Sequence, residues 1–132
     1  MLDPSPYIRE GQFNAYRGIS NTGYACAYDQ QVNWYHPQKK VELGERMARW
    51  ALSTQYGFYL GWEPAVVEGI EKLKDKIIVT FSKQVKSSDD RPMEGFSIAG
   101  IDRHFYPAKA EYLKMQNEKG QKVNDKRRVM VW

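Results

Sequence analysis

The spacing of apolar residues changes period once along this chain, and that change restricts it to a helical part followed by a part made of strands. From Val41 to Tyr56 they recur every three or four positions: Val41, Gly44, Ala48 and Leu52 fall on one line, with Met47 and Ala51 beside them. This is the pattern of an amphipathic helix. Glu42 with Arg46 and Glu45 with Arg49 stand four apart, acid first, the favourable order on an exposed helical face. Pro37 suits a first turn, where a missing N–H costs nothing, and Gly57 supplies a left-handed stop. Beyond Phe58-Tyr59-Leu60-Gly61-Trp62 the spacing alternates. Val66 to Leu73, Lys76 to Phe81, Gly95 to Ala99, Phe105 to Tyr106, Lys109 to Met115 and Arg128 to Trp132 read as strands. Turn signals at Lys74-Asp75, Ser87 to Pro92, Gly100 to Arg103 and Asn117 to Asn124 separate them.

Upstream of the helix, residues 7 to 17 read as the end of a short helix with Tyr7, Ile8, Gln12 and Tyr16 near one face, closed by the breaker run Gly18 to Gly23. Tyr24-Ala25-Cys26-Ala27-Tyr28 is short, uncharged and small-to-aromatic. It reads as a strand buried on both faces of a parallel sheet and ended by Asp29. The boundary is therefore placed between residues 1–61 and 62–132, the second part reading as a portion of an antiparallel β-sandwich. The fold class is α+β.

The chain has 132 residues with 42% hydrophobic and 14% aromatic content, a composition that folds. That length accommodates one ordinary core, or part of a domain joined to another. Cys26 has no second cysteine to pair with, which excludes an internal disulfide and a cysteine-based zinc site; it reads as a small buried residue. No metal or cofactor is expected. The start lacks the basic and apolar regions of a signal peptide, and no run approaches the roughly 18 apolar residues of a membrane span, so no membrane association is expected. Of the net charge of +4, residues 1–60 carry six basic and five acidic groups and residues 61–132 carry fourteen and eleven. The surplus gathers in Lys119, Lys122, Lys126, Arg127 and Arg128, interrupted by Asp125. Without interleaved aromatics or a Gly-rich phosphate motif this reads as a solvated hairpin tip rather than a nucleic-acid site.

Four segments occur in order: Tyr7-Ile8-Arg9-Glu10-Gly11-Gln12, Asn21-Thr22-Gly23-Tyr24-Ala25, His36-Pro37-Gln38-Lys39-Lys40 and Gly44-Glu45-Arg46-Met47-Ala48. In that order and spacing they resemble the last part of the catalytic domain of sialate O-acetylesterases, members of the SGNH-hydrolase superfamily. The resemblance is clear over residues 7–57. It continues more loosely through Gly95-Phe96-Ser97-Ile98-Ala99-Gly100 and Pro107-Ala108-Lys109-Ala110-Glu111, which are similar to the family's C-terminal β-domain. It implies that the chain is a C-terminal fragment: the strand, His loop and helix that end an SGNH-type α/β/α hydrolase domain, followed by a partial β-sandwich.

The activity so implied is serine-dependent hydrolysis of an acetyl ester on a sugar, in a periplasmic or extracellular setting, with no metal. Such chemistry needs a nucleophilic Ser, a His to take its proton and an acid to hold the imidazole. By the resemblance His36 is the general base. Asn33 stands where the family places its triad Asp; it can orient an imidazole but has no charge to stabilise the imidazolium. Asp29 matches a strand-end Asp of the family instead. Trp34 and Tyr35 are expected to shape the rim of the substrate pocket. The family's nucleophile turn and oxyanion-hole residues would lie upstream of Met1. Gly11-Gln12-Phe13-Asn14 is similar to a Gly-Gln-Ser-Asn nucleophile turn with Phe in place of Ser, but its neighbours Ile8-Arg9-Glu10 match a different segment of the family. Ser5, Ser20, Ser53, Ser82, Ser87, Ser88 and Ser97 stand in no nucleophile context, and His104 reads as a surface residue. The chain is expected to lack esterase activity alone.

The partners expected are an acetylated sugar, and either the missing N-terminal part of the hydrolase domain or a second copy of the chain. A different class of function is also open. Tyr56, Phe58, Tyr59 and Trp62 are expected to seal the junction between the two parts, yet they also suit a stand-alone module that binds carbohydrate or protein.

Overall fold

The computed structural model describes residues 5–28, 39–87 and 91–132. The chain divides into two compact units, Asp3–Pro64 and Ala65–Trp132. Among the described residues it is α+β, with two helices in the first unit and antiparallel sheets in the second.

The first unit is built on helices α1 (Ser5–Gly18) and α2 (Lys40–Gln55). Helix α1 is longer than the 7–17 reading: Pro6 falls in its first turn, where proline is tolerated. Its end is closed by Thr22, whose hydroxyl donates to the carbonyls of Ile19 at 2.7 Å and Tyr16 at 3.1 Å, while Asn21 turns the chain at φ 58°. Arg17 in the last turn complements the helix dipole.

Residues 22–27 lie in no β-ladder among the described residues, which corrects the strand reading of Tyr24–Tyr28. A strand is defined by a neighbour, and this segment is held by side chains instead. Tyr24 meets Phe13 edge-on at 5.6 Å and Tyr16 at 5.8 Å, and Phe13 and Tyr16 lie 5.9 Å apart. The Tyr28 hydroxyl donates to Gln12 Oε1 at 2.8 Å, and the Arg9 guanidinium stacks over the Tyr28 ring at 4.9 Å. Residues 9, 12, 13 and 16 form one helical face, so α1 presents a single stripe to this segment.

Helix α2 runs one residue earlier at each end than the Val41–Tyr56 reading. Gly57 adopts φ +73° and the Phe58 N–H reaches back to the Leu52 carbonyl at 3.0 Å, so the helix stops where Gly57 predicts. The packed side is a correction. Leu43, Arg46, Trp50 and Ser53 are half-buried, whereas Val41, Gly44, Met47, Ala48 and Leu52 are exposed. Arg46 donates to the Cys26 carbonyl, and the Trp50 ring lies so close to Gly23 that a Cβ there would sit 2.5 Å from it. A long polar side chain and an aromatic one fill this contact, which a reading confined to aliphatic residues passes over. Glu42 pairs with Lys39 at 3.6 Å while Arg46 turns inward.

The second unit holds β1 (Val67–Lys72), β2 (Ile77–Phe81), β3 (Phe96–Ala99), β4 (Phe105–Ala108), β5 (Ala110–Gln116) and β6 (Lys122–Val131). A four-stranded antiparallel sheet has the order β1-β2-β6-β5, and β3 pairs with β4 in a second sheet. In the central strands Val79 pairs with Val129 and Ile77 with Val131, while Tyr112 and Ala110 face them from β5. Val129 is fully buried, and Val131 and Ile78 nearly so. The core thus lies along β2 and β6, the two strands with neighbours on both sides.

Strand β6 begins at Lys122, inside the stretch that reads as a turn, so the turn narrows to residues 117–121. Asn117 closes it: its Oδ1 accepts the N–H groups of Lys119 at 3.0 Å and Gln121 at 2.9 Å, an Asx-type turn. The pairing of β5 skips from Tyr112–Val129 to Leu113–Asp125, so Lys126, Arg127 and Arg128 bulge out of register with β5. Two of these basic residues are engaged there rather than freely solvated. Arg127 contacts Glu68 at 2.9 Å and the Phe81 carbonyl at 3.0 Å, and Arg128 contacts Asp125 at 2.6 Å. The Arg128 guanidinium, with the Arg127 N–H, lowers the Asp125 carboxyl below its ordinary pKa.

Candidate functional site

His36, Asn33, Trp34 and Tyr35 lie in 29–38, outside the described residues, as does Asp29. The structure describes the chain on either side of them. On the upstream side Tyr24, Cys26 and Tyr28 are tied to both helices: the two tyrosines to the α1 face, and the Cys26 carbonyl to Arg46 of α2. On the downstream side Lys39 leads directly into α2 and pairs with Glu42. Residues 28 and 39, which bracket the His-bearing segment, therefore both belong to one packed arrangement of α1, 22–28 and α2.

Tyr24 in this arrangement has its ionisation altered by the packing. Burial of its phenol, reinforced by Cys26 and Tyr28, raises its pKa to about 12. An unfolded tyrosine ionises near 10, so the fold holds this proton more tightly. The stabilisation is complete below about pH 10 and is lost as pH rises through about 12. A spectrophotometric titration is expected to show one tyrosine ionising well after the exposed ones, and Tyr24→Phe is expected to remove that late step. A titration unchanged by Tyr24→Phe would contradict this packing.

Ser20, Ser53, Ser82 and Ser97 are placed outside any strand-to-helix nucleophile turn. Ser20 follows Gly18 and Ile19 at the end of a helix, and Ser97 follows Gly95 and Phe96 inside β3. A hydrolase nucleophile of this type instead sits where a strand feeds a helix. Ser53 donates to the Leu60 carbonyl at 2.9 Å, and the Ser82 hydroxyl accepts the Val66 N–H at 3.0 Å. His104 is exposed, its backbone N–H bonded to Asp102. No group of three or more His, Cys, Asp or Glu suited to a metal occurs among the described residues, and none of their helices is long and apolar enough to cross a membrane.

Two further surfaces were not resolved by the sequence. Tyr56, Phe58 and Tyr59 are exposed, Tyr59 completely, and Trp62 is half-buried. In the second unit a cavity of about 200 Å³ opens beside β5, lined by Arg91, Met93, Tyr112, Lys114 and Asn124 among others. The Tyr112 hydroxyl is committed to the Val85 carbonyl at 2.8 Å. The cavity mixes basic, aromatic and amide groups from residues far apart in sequence, a combination that spacing along the chain does not display.

The fold is similar to part of a solved esterase structure. A carbohydrate acetylesterase from Xanthomonas citri superposes on 98% of this chain with a TM-score of 0.70 and 26% sequence identity. The chain spans 28% of the length of that enzyme's chain. No protein-family model and no curated protein matches the chain. The expectation of a carbohydrate-esterase relationship is thus supported by structure.

Proposed function

We propose that this chain is the His-bearing part of a carbohydrate O-acetylesterase of the SGNH type, resembling sialate O-acetylesterases and acting on acetylated sugars in a periplasmic or extracellular setting. The likeness of nearly the whole chain to a carbohydrate acetylesterase carries this reading. On it, residues 1–61 form the end of the α/β/α hydrolase domain and residues 62–132 part of a β-sandwich. His36 takes the proton from a serine hydroxyl as the oxygen attacks the acetyl carbonyl, then returns it to the departing sugar oxygen. A water next attacks the acetyl-enzyme with His36 again accepting a proton, and His36 returns that proton to the serine oxygen as its bond to the acetyl group breaks and acetate leaves. Asn33 holds the imidazole by hydrogen bonding without neutralising its charge. Trp34 and Tyr35 line the rim against the sugar.

Ser20, Ser53, Ser82 and Ser97 lack a nucleophile's setting, and the chain alone is expected to be inactive. Hydrolysis of a 9-O-acetylated sialic acid and of 4-nitrophenyl acetate tests this for the wild type and His36→Ala. The expected result is no saturable turnover of the sugar ester, with slow unsaturable hydrolysis of the aryl ester. Saturable turnover of the sugar ester that His36→Ala abolishes would show a nucleophile within these residues.

A second reading, a stand-alone carbohydrate- or protein-binding module, is favoured by the exposure of Tyr56, Phe58 and Tyr59, since rings of this kind stack on sugars. A glycan screen with wild type and Tyr59→Ala distinguishes it: binding lost in the variant supports the module, and no binding removes it.

A further inference from the structure

We infer that Arg46 is a positioning residue for the proposed reaction: by tying the Cys26 carbonyl to α2 it sets the distance between the two ends of the segment that carries His36. This role rests on the esterase reading, and it is exerted through the backbone rather than on the sugar. The Cys26 carbonyl belongs to a half-buried residue that lies in no β-ladder among the described residues, a setting in which a carbonyl needs a donor. Arg46, half-buried on the inner side of α2, supplies one. A guanidinium suits the task, being planar, always charged and equipped with five N–H donors in a fixed fork, whereas the lysine ammonium is a point charge on a flexible stem.

The place of this bond along the chain gives it its effect. Cys26 and Arg46 stand 20 residues apart, and all of residues 29–38 falls between them. Upstream, the bond holds the chain shortly before residue 29. Downstream, Lys39 leads straight into α2, the helix that carries Arg46. Both flanks of the His-bearing segment are thereby referred to one rigid element. The Gly23–Trp50 contact lies farther out along the chain on both sides, and the contacts of Tyr28 tie the upstream flank to α1 instead. Proton transfer from a serine needs the imidazole within hydrogen-bond reach. A misplacement of about 1 Å caused far from the chemistry can cost on the order of 10² in rate. The loss therefore falls on kcat, the step that needs the imidazole in place, more than on sugar binding.

Two measurements test this. In the chain itself, Arg46→Ala is expected to speed amide hydrogen exchange across residues 24–28 by on the order of tenfold, and guanidinium at millimolar, non-denaturing concentration to slow it again. Arg46→Lys, which keeps a charged donor, is expected to lie between the two proteins. Exchange unchanged in both variants would overturn the inference. In a hybrid with this chain in place of the matching segment of the Xanthomonas citri carbohydrate acetylesterase, Arg46→Ala is expected to lower kcat for an acetylated sugar by on the order of 10². KM is expected to stay within about twofold of wild type, and added guanidinium to recover part of the lost kcat. A hybrid that depends on His36 yet keeps its kcat in Arg46→Ala, or loses it with no recovery by guanidinium, would overturn the positioning role and leave the esterase reading standing. A hybrid whose turnover is indifferent to His36→Ala would remove that reading, and this inference with it.

Discussion

Asn33→Asp is expected to raise sugar-ester turnover by on the order of 10² to 10⁴ in a hybrid enzyme where this chain replaces the matching segment of the Xanthomonas citri carbohydrate acetylesterase. The hybrid supplies the remainder of an esterase chain. In a Ser-His-acid site, the acid fixes the imidazole tautomer and stabilises the imidazolium that forms as the serine attacks. An amide in that position retains some orientation but supplies no charge. The increase is expected in kcat more than in KM, because the imidazolium exists only after proton transfer. Its pH profile is a separate readout: a carboxylate beside His36 raises the imidazole pKa and moves the rising limb of the profile to higher pH. An unchanged kcat with an unchanged profile would show that position 33 is not beside the imidazole.

The second large effect concerns the packing that brackets the His-bearing segment. Gly23→Val is expected to destabilise the first unit by about 1–3 kcal/mol, because the added Cβ would lie 2.5 Å from Trp50 Cδ2 and 2.7 Å from two further ring atoms. The indole is half-buried and set against the backbone at Gly23, so relief requires moving either the ring or the segment that leads to residue 29. Trp50→Leu removes the obstacle at its own cost in lost packing. The two substitutions are therefore expected to be strongly non-additive, the double variant being less destabilised than the sum of the singles. Thermal unfolding of the four proteins measures this. Additive effects would mean that Gly23 and Trp50 do not touch.

Helix α2 was legible because its signals are local, apolar spacing along it and Gly57 after it, although it starts at Lys40 and so leaves Pro37 outside its first turn. Which side of it packs was not, because the contact uses Arg46 on a carbonyl and Trp50 on a glycine, and neither scores as an aliphatic stripe. The alternating strands from Val67 to Gln116 were also legible near their observed ends. Strand β6 was half hidden: Lys122 to Arg127 is polar apart from Val123, and it is extended through its pairing with β5. Tyr24–Tyr28 failed for the converse reason, being strand-like in composition yet held by rings on α1 rather than by a ladder. The His36 constellation was visible only through resemblance, since a His before a Pro has no periodicity to announce it. Three-dimensional likeness to a carbohydrate acetylesterase supports the wider relationship.

The most direct test of the esterase reading is acetate release from an acetylated sugar by the folded hybrid, measured with His36 intact and with His36→Ala. The account predicts saturable turnover that falls by at least on the order of 10³ in the variant while its circular dichroism spectrum and sugar affinity are unchanged. A folded hybrid that turns over the ester equally well without the His36 imidazole would contradict it.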